Sequence, residues 1–225
     1  MSKNTGRSRP PKASILVVDD HQIVREGLVR VIDRTADLKV GAQAGNIAQA
    51  HAAIGLARPA AVIVDITLGS QNGIELIKDL KVRHPDLPLL VHSIHDETIY
   101  AERCLRAGAK GYVMKQENSE LLLRALRQIL KGEVFVSPAM NSQLLQQLSD
   151  NRSGKGTTAA ERLSDRELEV FELLGRGHRT KEVACLLHLS DKTIQTHREH
   201  IKEKLGIKDA VSLVRRAVQW VESGK

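Results

Sequence analysis

Over the first 133 residues the hydrophobic period switches repeatedly between short β-branched runs and longer amphipathic stretches. The runs SILVVD (14–19), LKVGAQA (38–44), AAVIVDI (60–66), LPLLVHS (87–93) and GYVMK (111–115) have the length and composition of strands. Between them, residues 21–34, 46–57, 73–84, 97–107 and 119–131 carry helical spacing. Their punctuation agrees: Ser119 stands ahead of the Leu-rich run, Gly108 follows the fourth helix and Pro85 lies just past the third. Five strands alternating with five helices require right-handed crossovers, and therefore a parallel sheet covered on both faces. The predicted fold is a doubly wound, five-stranded α/β domain.

With 225 residues the chain has room for one or two domains. Hydrophobic residues make up 41% and charged residues 27%, enough to bury a core. No run approaches the ~18 apolar residues of a membrane span. The start MSKNTGRSRPPK is polar and basic, without the apolar core of a signal peptide, so a cytoplasmic location with no membrane partner is expected. Two distant cysteines, Cys104 and Cys185, offer no disulfide framework and agree with a reducing compartment. The net charge of +7 divides into +4 for residues 1–12, 0 for 13–133, +1 for 134–160 and +2 for 161–225. More than half of the excess sits in a short basic tail, so charge alone is weak evidence for nucleic-acid binding.

In doubly wound sheets, ligands bind outside the carboxyl ends of the strands near the switch in strand order. Asp19 and Asp20 fall at the end of the first strand and Asp65 at the end of the third; Ser93 ends the fourth and Lys115 the fifth. Any one of these is most simply an ordinary polar strand end. Five compatible residues on four strand ends are harder to dismiss. Gathered carboxylates repel, and a hard oxygen-seeking cation such as Mg²⁺ resolves the repulsion. A lysine and a hydroxyl opposite them suit a tetrahedral dianion, which points to a phosphoryl group. DDHQIV replaces any GxGxxG or Walker-type loop after the first strand, which disfavours nucleotide binding. His21, His92 and His95 lie near these residues but receive no chemical role.

Residues 14–131, through VVDDH, VIVDI, the Ser93 position and GYVMK, resemble the receiver domains of bacterial two-component response regulators. The resemblance implies a flavodoxin-like strand order of 2-1-3-4-5 and phosphoryl acceptance by Asp65 from a sensor histidine kinase. It also implies Mg²⁺ held by Asp20, Asp65 and the backbone carbonyl of Thr67, with Asp19 acting mostly through water. Ser93 and Lys115 would contact the phosphoryl oxygens, and the Tyr112 rotamer would follow the phosphorylation state. Receivers usually carry proline four residues after the acceptor. This chain has Gly69, which is expected to leave the loop free and to alter phosphorylation or dephosphorylation rates.

After residue 133 the pattern changes. Residues 134–160 read as a linker ending in a Ser, Gly, Asn and Thr-rich run, with a Leu/Gln stretch open between a linker helix and part of a dimer contact. In residues 161–225, LSDREL and LSDKTI are two helix starts of the same chemistry, capped by Ser164 and Ser190; Glu167 reaches back in the first, and Leu163/Leu168 and Leu189/Ile194 form staples. A short helix (180–187), a turn (188–190) and a longer helix (191–205) make a helix-turn-helix, with Val183, Ala184, Leu187, Leu189, Ile194 and His197 inward. The outer face of the second helix offers Lys192, Thr193, Gln195, Thr196 and Glu199, flanked by Arg198 and Lys202, to a major groove. A charged helix face is ordinarily just solvated, but here the preceding turn and the inward pattern favour DNA. Cys185, His188, His197 and His200 imitate a zinc site, which the inward position of His197 disfavours.

Residues 162–222 resemble the LuxR-type helix-turn-helix domain through LSDRELEVFELLGRG, TKEVA, LHLSDKTIQTH, KLGI and the final amphipathic helix 209–222. The resemblance implies a two-fold dimer, with the last helix at its contact, reading inverted half-sites about one helical turn apart. The whole chain is similar to response regulators of the NarL/FixJ subfamily: phosphoprotein transcription regulators that bind promoter DNA and dimerise when phosphorylated, rather than turnover enzymes. Two rivals remain at this point: an aspartate-nucleophile phosphatase, which would need a second carboxylate where Thr67 stands, and a phosphorylation-independent DNA-binding protein.

Overall fold

The computed structural model describes residues 11–142 and 162–223. The receiver-like part runs β1 (Ala13–Val18), α1 (Gln22–Asp33), β2 (Leu38–Ala44), α2 (Ile47–Ala57), β3 (Ala61–Val64), β4 (Thr67–Leu68), β5 (Gln71–Asn72), α3 (Gly73–Arg83), β6 (Leu89–Ser93), α4 (Glu97–Ala107), β7 (Gly111–Met114) and α5 (Ser119–Leu130). Five strands form one parallel sheet in the order β2-β1-β3-β6-β7. This is the predicted doubly wound topology, with β4 and β5 standing apart as a two-residue antiparallel hairpin. The strand period of two sends Leu16, Val18, Val62, Val64 and Val91 to one core and Ile15, Val17, Ile63, Leu90 and Val113 to the other. The second core packs against α1 and α5 through Leu28, Ile32, Leu122 and Leu126.

Capping follows short side chains. Asn46, Asn72 and Asp96 each accept a backbone N–H from the first turn of the helix they begin. At α5 the cap is Asn118, whose side chain accepts from the Leu121 N–H, and Ser119 is the first helical residue instead of the cap. After α5, Phe135 pairs with Gly111 on the outer edge of β7, and Met140 is fully buried. The Leu/Gln stretch and the small-residue run that follows it lie outside the described residues.

Four helices follow: α6 (Asp165–Gly175), α7 (Thr180–Leu186), α8 (Asp191–Leu205) and α9 (Ala210–Glu222). The capping box at Ser164 and Glu167 forms in both directions, and Ser190 caps α8. Val183, Ala184, Leu187 and Ile194 are buried between α7 and α8, while Leu189 and His197 are half-buried. Leu213, Ala217 and Trp220 of α9 close the core, with Trp220 tilted against Phe171 at 5.5 Å.

Candidate functional site

The sheet carries the acidic residues to one end and holds them there by its own ladder. Beyond the strand ends, the Asp65 N–H donates to Val18 O (2.9 Å), the Asp19 N–H to Ala44 O (3.1 Å) and the Lys115 N–H to Ser93 O (2.8 Å). Each side chain therefore leaves a backbone fixed on a neighbouring strand. Lys115 Nζ lies 2.6 Å from Asp19 Oδ2 and 2.7 Å from Asp65 Oδ2, bridging two buried carboxylates. Asp20 is less buried than the other two, with Oδ1 2.7 Å from His21 Nδ1. Asp19, Asp20, His21 and Asp65 each present one donor atom within 4.8 Å of the others.

Burial raises the pKa of Asp65, partly offset by Lys115 and raised further by Asp19. For Lys115, burial pulls down, but the two carboxylates overcome it and the ammonium is held more firmly. The second oxygen of Asp65, Oδ1, is buried with no hydrogen-bond partner among the described residues. A buried acceptor left open costs free energy unless something else occupies it. The donor set is all oxygen apart from the exposed imidazole of His21, which fits a hard divalent cation.

The loop after Asp65 is tightly held, which corrects the expectation of a free step at Gly69. Thr67 and Leu68 pair with Asn72 and Gln71, and Gly69 occupies the turn at φ +61°. Its N–H donates to Asp20 Oδ2 at 2.9 Å, tying the hairpin to the acidic cluster. Proline can adopt neither the positive φ nor the donor role. Gly69→Pro is therefore expected to lower thermal stability by about 2 kcal/mol, from backbone strain and a lost charge-assisted bond. A thermal melt matching wild type would refute this.

The remaining sequence-predicted residues also converge. Ser93 is fully buried, Tyr112 nearly so, and Thr67 half-buried in β4. His95, which received no role from the sequence pattern, joins all three. Its ring Nε2 lies 3.0 Å from Thr67 Oγ1, its carbonyl accepts from Tyr112 OH (2.8 Å), and its N–H makes a long 3.4 Å contact to Ser93 Oγ. His92 is buried on the neighbouring position and pushed down to about 4, by burial first and then by Lys115.

In the second part, Lys192, Gln195, Thr196 and Glu199 of α8 are exposed along one face; Thr193, Arg198 and Lys202 are partly covered at its sides. Lys202 pairs with Glu199 at 2.7 Å, and Arg198 Nη1 donates to Thr180 Oγ1 at the start of α7.

Residues 15–127 match the response regulator receiver domain family, and residues 161–217 match the bacterial regulatory proteins of the luxR family. The chain belongs to the NarL/FixJ-type response regulators. The oxygen regulatory protein NreC of Staphylococcus aureus (strain JH9) is 31% identical to this response regulator, over 91% of its chain and 96% of NreC. A structure of RcsB from Salmonella typhimurium shares 25% identity with a TM-score of 0.63, covering 93% of the regulator and 98% of RcsB. A structure of two RcsB dimers bound to two parallel DNAs matches at 25% identity and TM-score 0.56, covering 91% and 97%. The regulator is thus a transcriptional regulator with a LuxR-type DNA-binding domain, from a family of transcription regulators and not of turnover enzymes. Among the described residues no helix is long and apolar enough to cross a membrane.

Proposed function

We propose that phosphoryl transfer to Asp65 controls DNA binding by this regulator. The observation that carries the reading is the Asp65 carboxylate itself: buried, fixed at a strand end, one oxygen on Lys115 and the other with no hydrogen-bond partner among the described residues. That open oxygen is the nucleophile. In the transfer, the phosphorus–nitrogen bond of a phosphohistidine on a sensor kinase breaks, an oxygen–phosphorus bond to Asp65 forms, and the bond electrons return to the imidazole. Asp20, Asp65 and the Thr67 carbonyl, with Asp19 through water, would hold Mg²⁺, which when bound would supply charge neutralisation at the phosphoryl oxygens. Lys115, already 2.7 Å from Asp65, exchanges a carboxylate oxygen for a phosphoryl oxygen, and the Ser93 hydroxyl donates to another.

Promoter DNA is the output partner. Phosphorylation promotes a two-fold dimer whose α8 helices enter successive major grooves. The exposed face of α8 supports this, as does an apolar spacing on α9, where Val211 is 79% exposed and Val214 and Val218 are half-buried. The likeness of this chain to RcsB, whose dimers are seen bound to DNA, supports it as well.

The test is chemical. Incubation of the full chain with acetyl phosphate and Mg²⁺ should add one phosphoryl group to the peptide containing Asp65, removable by hydroxylamine and absent in Asp65→Asn. Retention of the modification in Asp65→Asn would contradict the assignment.

A further inference from the structure

The DNA-binding domain docks on the receiver through a row of acids. Asp165, Glu169 and Glu172 stand at steps of four and three on α6, so they share one face, and all three are buried. Each finds a polar partner on the receiver. Asp165 takes Lys78 Nζ (2.9 Å) and Arg103 Nη1 (2.6 Å); Glu169 Oε1 accepts from Asn72 Nδ2 (2.8 Å). Glu172 Oε2 accepts from Tyr100 OH (2.9 Å) and lies 3.3 Å from His95 Nδ1. Arg166 and Arg176 of the same helix also reach Glu169 and Glu172, so losing a receiver partner removes a bond across the two surfaces while each of these acids keeps a cation of its own helix, and separation is favoured.

One of these partners also belongs to the acidic site. The ring of His95 is held by Thr67 on one nitrogen and Glu172 on the other, while its backbone is held by Tyr112 and approached by Ser93. Thr67, Ser93 and Tyr112, all close to where a phosphoryl group on Asp65 would sit, therefore meet at a residue already bonded to the DNA-binding domain. We infer that His95 is the coupling residue, and that displacement of Thr67 and Ser93 toward a phosphoryl group on Asp65 withdraws its imidazole from Glu172 and releases α6. This rests on the proposed phosphorylation of Asp65. A change at one site reaches the other only through contacts that differ between the two states, and here those contacts are the two ring bonds of His95.

The docked state leaves Lys192, Gln195, Thr196 and Glu199 of α8 exposed. The latch therefore acts by anchoring the domain to its own receiver, restricting how two copies can pair, and it leaves the recognition face uncovered.

Amide hydrogen exchange on the full chain tests the coupling, with beryllofluoride and Mg²⁺ standing in for the acyl phosphate. In wild type, beryllofluoride should slow exchange in the loop of residues 65–72 and speed it in α6 by about tenfold, within the usual range of coupling between sites. Glu172→Gln should exchange fast in α6 without beryllofluoride. His95→Leu, which loses both ring bonds but lies outside the residues assigned to the metal and the phosphoryl group, should protect the loop on adding beryllofluoride yet show no further response in α6. Protection of the loop with no change of α6 in wild type, or a full α6 response to beryllofluoride in His95→Leu, would overturn the coupling while leaving the phosphorylation reading standing. No response even in the 65–72 loop of wild type would overturn the reading beneath it.

Discussion

Gly73→Ala is expected to lower the thermal midpoint of the receiver by roughly 10 °C, the consequence of a loss of about 3 kcal/mol. A Cβ on Gly73 would lie 1.9 Å from Asp65 O and 2.9 Å from its carbonyl carbon. Both are backbone atoms of the chain's central strand end, so neither can swing aside as a side chain would. The Gly73 N–H also donates to Ile66 O at 2.6 Å, which pins the start of α3 against the turn below Asp65. Relief of the clash has to break that bond or move the Asp65 backbone, and the second route displaces the carboxylate from Lys115. Thermal unfolding followed by circular dichroism checks this, and a midpoint within about 2 °C of wild type would show that the close approach is not rigid.

Lys115→Ala should cost about 3 kcal/mol at neutral pH, the low end for a buried pair that loses one partner, because the ammonium retains some contact with water. What remains is Asp19 and Asp65 facing each other, both nearly inaccessible, with no cation between them. The pH dependence gives this prediction a second handle. Asp65 already has a raised pKa from burial, held back by Lys115, and removing the lysine raises it further. A carboxylate whose folded pKa lies above its unfolded one costs stability wherever it is ionised, and the cost is relieved as pH falls through the folded value. The deficit of Lys115→Ala against wild type should therefore shrink as the pH is lowered from neutrality toward the mildly acidic range. Urea denaturation in metal-free buffer across that range measures it, and a deficit that is constant or grows on acidification would sink the argument.

The sheet was legible because buried parallel strands and amphipathic helices have different periods, and each segment from SILVVD to the Leu-rich α5 is long enough to display its own. The acidic site was legible for a related reason: once strand ends are known, Asp19, Asp20, Asp65, Ser93 and Lys115 fall at one edge without further assumption. The β4–β5 hairpin was not, since two-residue strands are shorter than any period. Gly69, read as slack, proved to be a turn residue tied to Asp20, a bond between residues 49 apart that no local pattern announces. The docking face of α6 was missed for a different reason. It consists of Asp165, Glu169 and Glu172 against Lys78, Arg103, Asn72 and His95, and charged residues at helical spacing look the same whether they meet solvent or a complementary surface. The acid spacing of four and three was visible in the sequence. Its partners lie between 62 and 97 residues away, which only the fold brings near.

The central claim, that phosphate on Asp65 controls DNA binding, is tested most directly by selecting sheared genomic DNA from the source organism with the full-length protein, with and without acetyl phosphate and Mg²⁺. Wild type should enrich a discrete set of fragments about tenfold more with the donor than without it, the size of a typical coupling between two sites. Asp65→Asn should show no gain from the donor. Recovery of the same fragments by Asp65→Asn at the level of phosphorylated wild type, or by wild type without any donor, would contradict the account.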